Sequence, residues 1–230
     1  MSTKFWIVVP AAGIGARMGK ACPKQYLPLD GKPILQHTLE RLNRPWIAGI
    51  VVCVASSDTW FAQLKLPRQV IQAPGGAQRC HSVLNGLHAL SAQAQPQDWV
   101  LVHDAARPCV RSQDIDSLRH HLSHHPIGGL LALPVRDTMK RANPQAQSVE
   151  TISRLHLWHA LTPQMFRFGL LTQALQQALT QGIIVTDEAQ AIEHLGYQAQ
   201  LIEGHADNIK ITHPADLALA QLYLRYQNAC

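Results

Sequence analysis

Between Pro10 and Lys24 the chain reads P-A-A-G-I-G-A-R-M-G-K-A-C-P-K, small residues interleaved with cations. Without bulky side chains, successive backbone N–H groups can close on a polyanion and form a nest for phosphate oxygens. Arg17 adds a planar fork for those oxygens and Lys24 a mobile point charge. The chemistry this suits is gripping and polarising a chain of phosphates. Counting excludes two familiar glycine loops. A dinucleotide fingerprint starting at Gly13 needs glycine where Met18 stands; a P-loop fails because five residues separate Gly13 from Gly19 and Ala21 follows Lys20. Taken alone, the loop also reads as an ordinary strand-to-helix turn flanked by solvated cations.

Three further constellations could carry chemistry. His103-Asp104-Ala105-Ala106-Arg107-Pro108 ends an apolar run, at the edge where open α/β sheets collect ligands, so Asp104 and Arg107 are site candidates. An ion pair that merely fixes the loop is the alternative. Gly75-Gly76 precedes a helical pattern, where missing side chains either let backbone approach a flat ring or simply turn the chain. Lys210 stands between Ile209 and Ile211 in an apparent short strand, and alternation points its side chain away from those neighbours. His120, His121, His124 and His125 contain i,i+4 pairs with metal-chelating spacing, but they fall near a helix end and a metal site there is disfavoured.

The elements that must hold these residues are visible in the hydrophobic pattern. Short β-branched runs at Trp6–Val9, Ile50–Ala55, Val70–Gln72, Trp99–His103 and Gly129–Val135 alternate with helical patterns. The helical stretches are Ile34–Leu42, His81–Ala92, Ser112–Leu122, Phe168–Gln181, Asp187–Leu195 and Pro214–Tyr226. That order predicts α/β layers around a mostly parallel sheet. Residues 136–158 break the rhythm: they are polar, show little apolar periodicity and carry Asn143-Pro144 as a turn signal. A projecting arm fits this stretch, expected to pack on a second subunit because an arm buries little of its own surface; a solvated loop is the alternative.

With 230 residues, 47% hydrophobic and 15% charged, the chain is long enough for one large core and reads as a single domain, 1–230. Its apolar stretches fall far short of the roughly 20 residues that span a bilayer. The N-terminus enters a strand pattern without the apolar core of a signal peptide, which predicts a cytoplasmic protein. Five scattered cysteines, none in a C-x-x-C pair, predict reduced thiols rather than a disulfide framework or a thiolate zinc site. A net charge of +5 suits anionic ligands, but the cations are dispersed and lack the aromatic ladders of a nucleic-acid binder. Small phosphorylated ligands are expected, with no nucleic acid and no membrane.

Taken together, the motifs resemble the 2-C-methyl-D-erythritol 4-phosphate cytidylyltransferases of the non-mevalonate isoprenoid pathway. The resemblance runs almost end to end: P-A-A-G-x-G-x-R-M at Pro10–Met18, P-K-Q-Y at Pro23–Tyr26, G-G-x-x-R-x-x-S-V at Gly75–Val83 and V-H-D-A-A-R-P at Val102–Pro108. It continues through P-V-R-D-T-M-K at Pro134–Lys140, L-W-H-A-L-T-P-Q at Leu157–Gln164, T-D-E-A at Thr186–Ala189 and D-N-I-K-I-T at Asp207–Thr212.

This resemblance implies a three-layer Rossmann-like nucleotidyltransferase fold with a projecting dimerisation arm. It implies transfer of CMP from CTP to methylerythritol phosphate, with Mg2+ or another divalent cation accompanying CTP, in a homodimer. Arg17 and Lys24 are thereby assigned to charge at the α-phosphorus, and Arg154, Lys210 and Thr138 to the acceptor phosphate. Asp104 is assigned to the acceptor or its metal surroundings, and Arg107 to support. Pro10, Ala11, Ala12, Gly13, Gly15, Gly76, Arg79, Ser82 and Ala105 are assigned to the nucleotide. Thr138 and Arg154 lie on the arm, so the implied site is completed in trans. Apart from Asp104, no side chain is expected to touch the metal. Ala77 departs from relatives that carry an acidic residue there. The competing readings are a cytidylyltransferase acting on ribitol 5-phosphate, a non-catalytic nucleotide sensor and a nicotinamide oxidoreductase. The sensor would be expected to have lost Arg17, Lys24 or Lys210, and the oxidoreductase is disfavoured by Met18.

Overall fold

The computed structural model describes residues 3–13, 22–66 and 70–229. The chain begins with β1 (Phe5–Pro10), a short ladder of β2 (Pro28–Leu29) and β3 (Lys32–Pro33), α1 (Ile34–Leu42) and β4 (Ile47–Val54). There follow β5 (Val70–Pro74), α2 (Arg79–Leu90), β6 (Trp99–Val102), α3 (Ser112–Leu122) and β7 (Gly128–Pro134). An excursion through β8 (Met139–Ala142) and β9 (Ser148–Ile152) returns as β10 (Trp158–Arg167). The chain closes with α4 (Phe168–Thr180), α5 (Glu188–His194), β11 (Gln200–Glu203) and α6 (Pro214–Ala229).

Among the described residues, seven strands form one sheet in the order β11-β7-β10-β6-β1-β4-β5. β10 runs antiparallel to both its neighbours, and every other pairing is parallel. Alternation along β1 explains the layers. Trp6 and Val8 pack with Val83, Leu87 and Leu90 of α2 and with the buried face of α4, while Ile7 and Val9 pack with Leu35 and Leu39 of α1 and Ile115 and Leu118 of α3. A strand with both faces covered this way reads as a continuous apolar run, which is why β1, β4 and β6 were visible in the sequence. The mostly parallel three-layer arrangement expected from the sequence is present. α6 adds a smaller cluster with Leu27, Ile34, Cys109 and Ile211.

Several expectations need correction. β10 carries no strand signal because Pro163 and the polar residues around it argue against a central strand, and β11 because it is four residues long and mostly exposed. The β10 ladder to β7 shifts register between Ala160 and Gln164, so Pro163 sits in an interruption and its missing N–H costs no ladder bond. Lys210 lies in an irregular segment, not a strand, although Ile211 beside it is buried and Lys210 itself is exposed as the alternation required. The 136–158 excursion is a hairpin, with Asn143 closing its turn by accepting the amides of Gln145 and Gln147. Both faces of that ribbon are exposed, so no apolar alternation marks it. α2 begins two residues earlier than the sequence pattern indicated. No helix among the described residues is long and apolar enough to cross a membrane.

Close packing of α2 on the sheet depends on Gly86. A Cβ there would stand 2.6 Å from Val8 Cγ1 and 2.9 Å from Cys53 Sγ. Gly86→Ala gains up to about 1 kcal/mol of helix propensity but overpacks a tight contact at about 1–3 kcal/mol. We therefore expect a net loss of stability, read as a lower urea midpoint; an unchanged or higher midpoint would mean that the α2–β1 contact yields freely.

Candidate active site

Connectivity places the site. From β1 the chain moves to β4 and β5 on one side, then α2 carries it back to β6 on the other side of β1, so the strand order reverses between β1 and β6. Open α/β sheets leave a crevice beyond the carboxyl ends of strands at such a point. Main-chain bonds hold its rim: Ala11 N donates to Cys53 O at 2.8 Å, Gly75 N to Val54 O at 2.7 Å and Ile211 N to Ala106 O at 2.9 Å.

A cleft of about 490 Å³ opens there, lined by Pro10, Ala11, Ala12, Gly13, Gly76, Arg79, Ser82 and Ala105, together with Lys24, Asp104 and Lys210. Eight of the nine residues assigned to the nucleotide are thus brought together. A second cavity of about 200 Å³ adjoins it, lined by Arg107, Thr162, Gln164, Thr186 and Asp187. Arg79, Asp104 and Lys210 line both cavities. Gly15 and Arg17 lie outside the described residues. Thr138 and Arg154 sit on the exposed arm and line neither cavity; the Arg154 guanidinium instead donates to the carbonyl of Arg136.

The first cleft is braced from beneath. Lys24 and Gln25 belong to a single 3-10 turn, Lys24–Tyr26. Lys24 Nζ donates to Ile211 O at 3.0 Å, tying the phosphate-loop side to the Lys210 segment, and buried Gln25 donates to Ala11 O at 2.6 Å. Ser82 Oγ accepts the amide of Gly76 at 2.9 Å, so the hydroxyl shapes the glycine turn from inside. The need for glycine there is internal packing: a Cβ on Gly75 would strike Ala12, and one on Gly76 would strike His81.

Electrostatics converge on Asp104. Its Oδ1 accepts from Arg79 Nε at 3.0 Å, and its Oδ2 from Lys210 Nζ at 2.9 Å and Arg107 Nε at 3.4 Å. Burial opposes its ionisation, but the charges of Arg79, Lys210 and Arg107 hold its carboxyl well below the usual range. An anion held so firmly is a poor general base. Both of its oxygens are engaged by cations. Arg79 also donates to Glu188 through Nη1 at 2.6 Å and Nη2 at 3.0 Å.

Thr162, Gln164, Glu188 and Asn208 lie within the sequence motifs but have no role that the motifs alone reveal. Their partners are far along the chain. Asp104 N donates to Thr162 Oγ1 at 3.1 Å, Thr162 Oγ1 pairs with His103 Nδ1 at 3.0 Å, and His103 Nε2 with Arg107 O at 3.1 Å. The proton order that satisfies all three has the Thr162 hydroxyl donating to Nδ1 and Nε2–H donating to Arg107 O. Asn208 Nδ2 donates to Thr162 O and Arg107 Nη1 to Asn208 O, closing the loop network. Within the histidine patch His125 serves structure: its Nδ1 accepts the amides of Ile127 and Gly128.

An open, mostly parallel α/β sheet with a cation-walled cleft and an adjoining cavity at its switch point is the arrangement in which such sheets bind nucleotides and other small ligands. The chain matches the family model for IspD, 2-C-methyl-D-erythritol 4-phosphate cytidylyltransferase, over residues 5–226. It is 52% identical over 225 residues to the 2-C-methyl-D-erythritol 4-phosphate cytidylyltransferase of Vibrio vulnificus, covering 96% of this chain and 95% of that one. It is 54% identical over 223 residues to that of Ectopseudomonas mendocina, covering 95% and 94%. The fold superimposes on the crystal structure of the Francisella tularensis enzyme of that name with a TM-score of 0.84 at 34% identity, covering 96% of this chain and 100% of that chain. The chain belongs to the 2-C-methyl-D-erythritol 4-phosphate cytidylyltransferase family.

Burial of His103 lowers its pKa to about 4, so the imidazole is neutral at neutral pH. The folded value lies below the unfolded value of about 6.5, so its contribution is present above that pH and is lost as pH falls toward the folded value. Unfolding free energy should drop by on the order of 3 kcal/mol across this window. In His103→Gln that part of the pH dependence should vanish; an unchanged slope in urea titrations would assign it to other groups.

Proposed function

We propose that this chain transfers CMP from CTP to 2-C-methyl-D-erythritol 4-phosphate, releasing pyrophosphate and forming 4-diphosphocytidyl-2-C-methyl-D-erythritol. The observation that carries this reading is the pair of adjoining cavities with a common wall of Arg79, Asp104 and Lys210. The larger suits a nucleoside triphosphate between Gly76 and Lys24, and the smaller suits a sugar-alcohol phosphate beside Lys210. An oxygen of the acceptor phosphate forms a bond to the α-phosphorus as the bond from that phosphorus toward the β-phosphate breaks, and pyrophosphate leaves with the electron pair. The nucleophile is already anionic near neutral pH, so positioning and charge, not proton removal, carry the rate.

In this reading Lys24, anchored on Ile211 O, stabilises charge developing at the α-phosphorus together with Arg17. Lys210, oriented by Asp104, holds the acceptor phosphate in line. Thr138 and Arg154 reach the acceptor from a partner subunit's arm, a role that accords with their exposure and their absence from this chain's own cleft. Magnesium or another divalent cation enters as part of the metal–CTP substrate. In this reading the nucleotide phosphates hold the cation, and Asp104, whose oxygens accept from Arg79, Lys210 and Arg107, orients side chains instead. Cytosine is read by the backbone around Ala11–Gly13 and Gly76, with Ala77 offering no side-chain acceptor.

The direct test is CMP transfer to each acceptor: product with ribitol 5-phosphate and none with methylerythritol phosphate would overturn the acceptor assignment. Lys24→Ala should lower kcat about 100-fold or more with little change in fold, as for other transition-state donors; wild-type turnover would remove Lys24 from the mechanism. If sites are shared between subunits, mixing Arg17→Ala with Arg154→Ala protomers should restore partial activity, because one of the two mixed sites carries both arginines. No restoration in verified mixed dimers would place Arg154 in its own subunit's site.

A further inference from the structure

The Arg79–Glu188 pair is more costly than an anchoring role requires. Glu188 opens α5 and its side chain is 1% exposed, so ionising it there carries a desolvation cost that burial expresses by raising its pKa against the pull of Arg79. Fixing α5 does not need it. Asp187 caps the helix by accepting Gln190 N, Gln164 bonds both Asp187 Oδ2 and Ala189 N, and Ala189, Ala191 and Ile192 are buried in the core. What Glu188 adds is orientation. Its two oxygens take both terminal nitrogens of Arg79, which leaves Nε aimed at Asp104 Oδ1. The other oxygen of Asp104 is then presented to Lys210, whose side chain is 42% exposed.

Charge counting points the same way. Arg79, Arg107 and Lys210 are bridged by Asp104 and Glu188, and Asp187 lines the same cavity, so three carboxylates balance three cations. Lys210 is the most exposed of the three cations, so its charge is the one that faces the cavity. Without Glu188 one positive charge is left over, and the guanidinium of Arg79 can turn from Asp104 toward phosphate. We propose that Glu188 is a positioning residue for the transfer reaction: by gripping Arg79 at two points it braces Asp104 and thereby sets Lys210 toward the acceptor. This rests on the reading of the smaller cavity as the acceptor subsite.

Glu188→Gln keeps the shape and removes the charge. The expected result is an acceptor KM raised about tenfold, the loss of one charge-assisted hydrogen bond partly transmitted, and raised more than the CTP KM, which Arg79 touches from the shared wall. Glu188→Asp should recover part of the loss. Arg79→Lys, which keeps the charge but loses the two-point grip, should raise the acceptor KM at least as much, with a CTP effect of its own because Arg79 lines both cavities; if Glu188→Gln does not fold, Glu188→Asp and the NMR comparison in the wild type keep the test decisive. The double variant should be no worse than Arg79→Lys alone. Wild-type constants in Glu188→Gln or Arg79→Lys, or strictly additive losses in the double variant, would overturn the proposal. Side-chain nitrogen NMR of Arg79 supplies a readout independent of turnover. Slowly exchanging terminal N–H signals in the wild type that vanish in Glu188→Gln support the grip, and their absence from the wild type refutes it. A wild-type chain that does not transfer CMP to methylerythritol phosphate would strike the acceptor reading, while the NMR comparison still decides the Glu188 link.

Discussion

One carboxylate organises the active face of this protein. Asp104 stands at the carboxyl end of β6 with cations on three sides: Arg79 from α2, Arg107 from its own loop and Lys210 from the segment before α6. Three elements far apart in the chain therefore meet at one charge. An ionised group in such a setting survives only because its partners repay the loss of water, and each partner is in turn held by another group. Arg79 leans on Glu188, Arg107 on the carbonyl of Asn208, and the Lys210 segment is tied to Lys24 through Ile211. The wall between the two cavities is this network seen from the solvent side.

The sheet makes that meeting geometrically available. β6 and β1 part at the reversal of strand order, and the loops after β1, β5 and β6 gather above the gap. The antiparallel β10 is inserted next to β6, and its irregular middle, Leu161 to Pro163, lies level with the His103 loop. A regular strand there would have bonded to its neighbours along its whole length. The break in register frees the Thr162 hydroxyl to serve Asp104 N and His103, and the Thr162 carbonyl to receive Asn208. A neutral, fully buried His103 then locks the loop without adding a fourth positive charge to the cluster.

Legibility followed burial and locality. Strands covered on both faces and helices with one apolar stripe declared themselves, and α1 and α3 fell within the ranges their patterns predict. β10 stayed hidden because its signal is broken by the same proline and polar residues that make it useful, and the arm because a ribbon exposed on both faces has no pattern to show. Most residues lining the larger cleft could be named from local motifs, since each of the three loops that supply them carries its own short pattern. Glu188 could not. It looks like an ordinary acidic residue in the first turn of a helix, where the dipole alone would favour it. Only the arrival of Arg79 from 109 positions earlier in the chain gives it a chemical meaning.

The sequence by itself determined the layered α/β architecture, the motifs that bring Pro10–Gly13, Gly76 and Asp104 to one edge of the sheet, and the family to which the chain belongs. These follow from periodicity and from short motifs, which are properties of neighbouring residues. The tertiary structure decided which charges share a site, that Asp104 is a fixed anion shared by three cations, and that Gly75 and Gly76 are required by packing against Ala12 and His81. Those outcomes depend on distances and burial, and both arise only when segments remote in sequence are folded against one another.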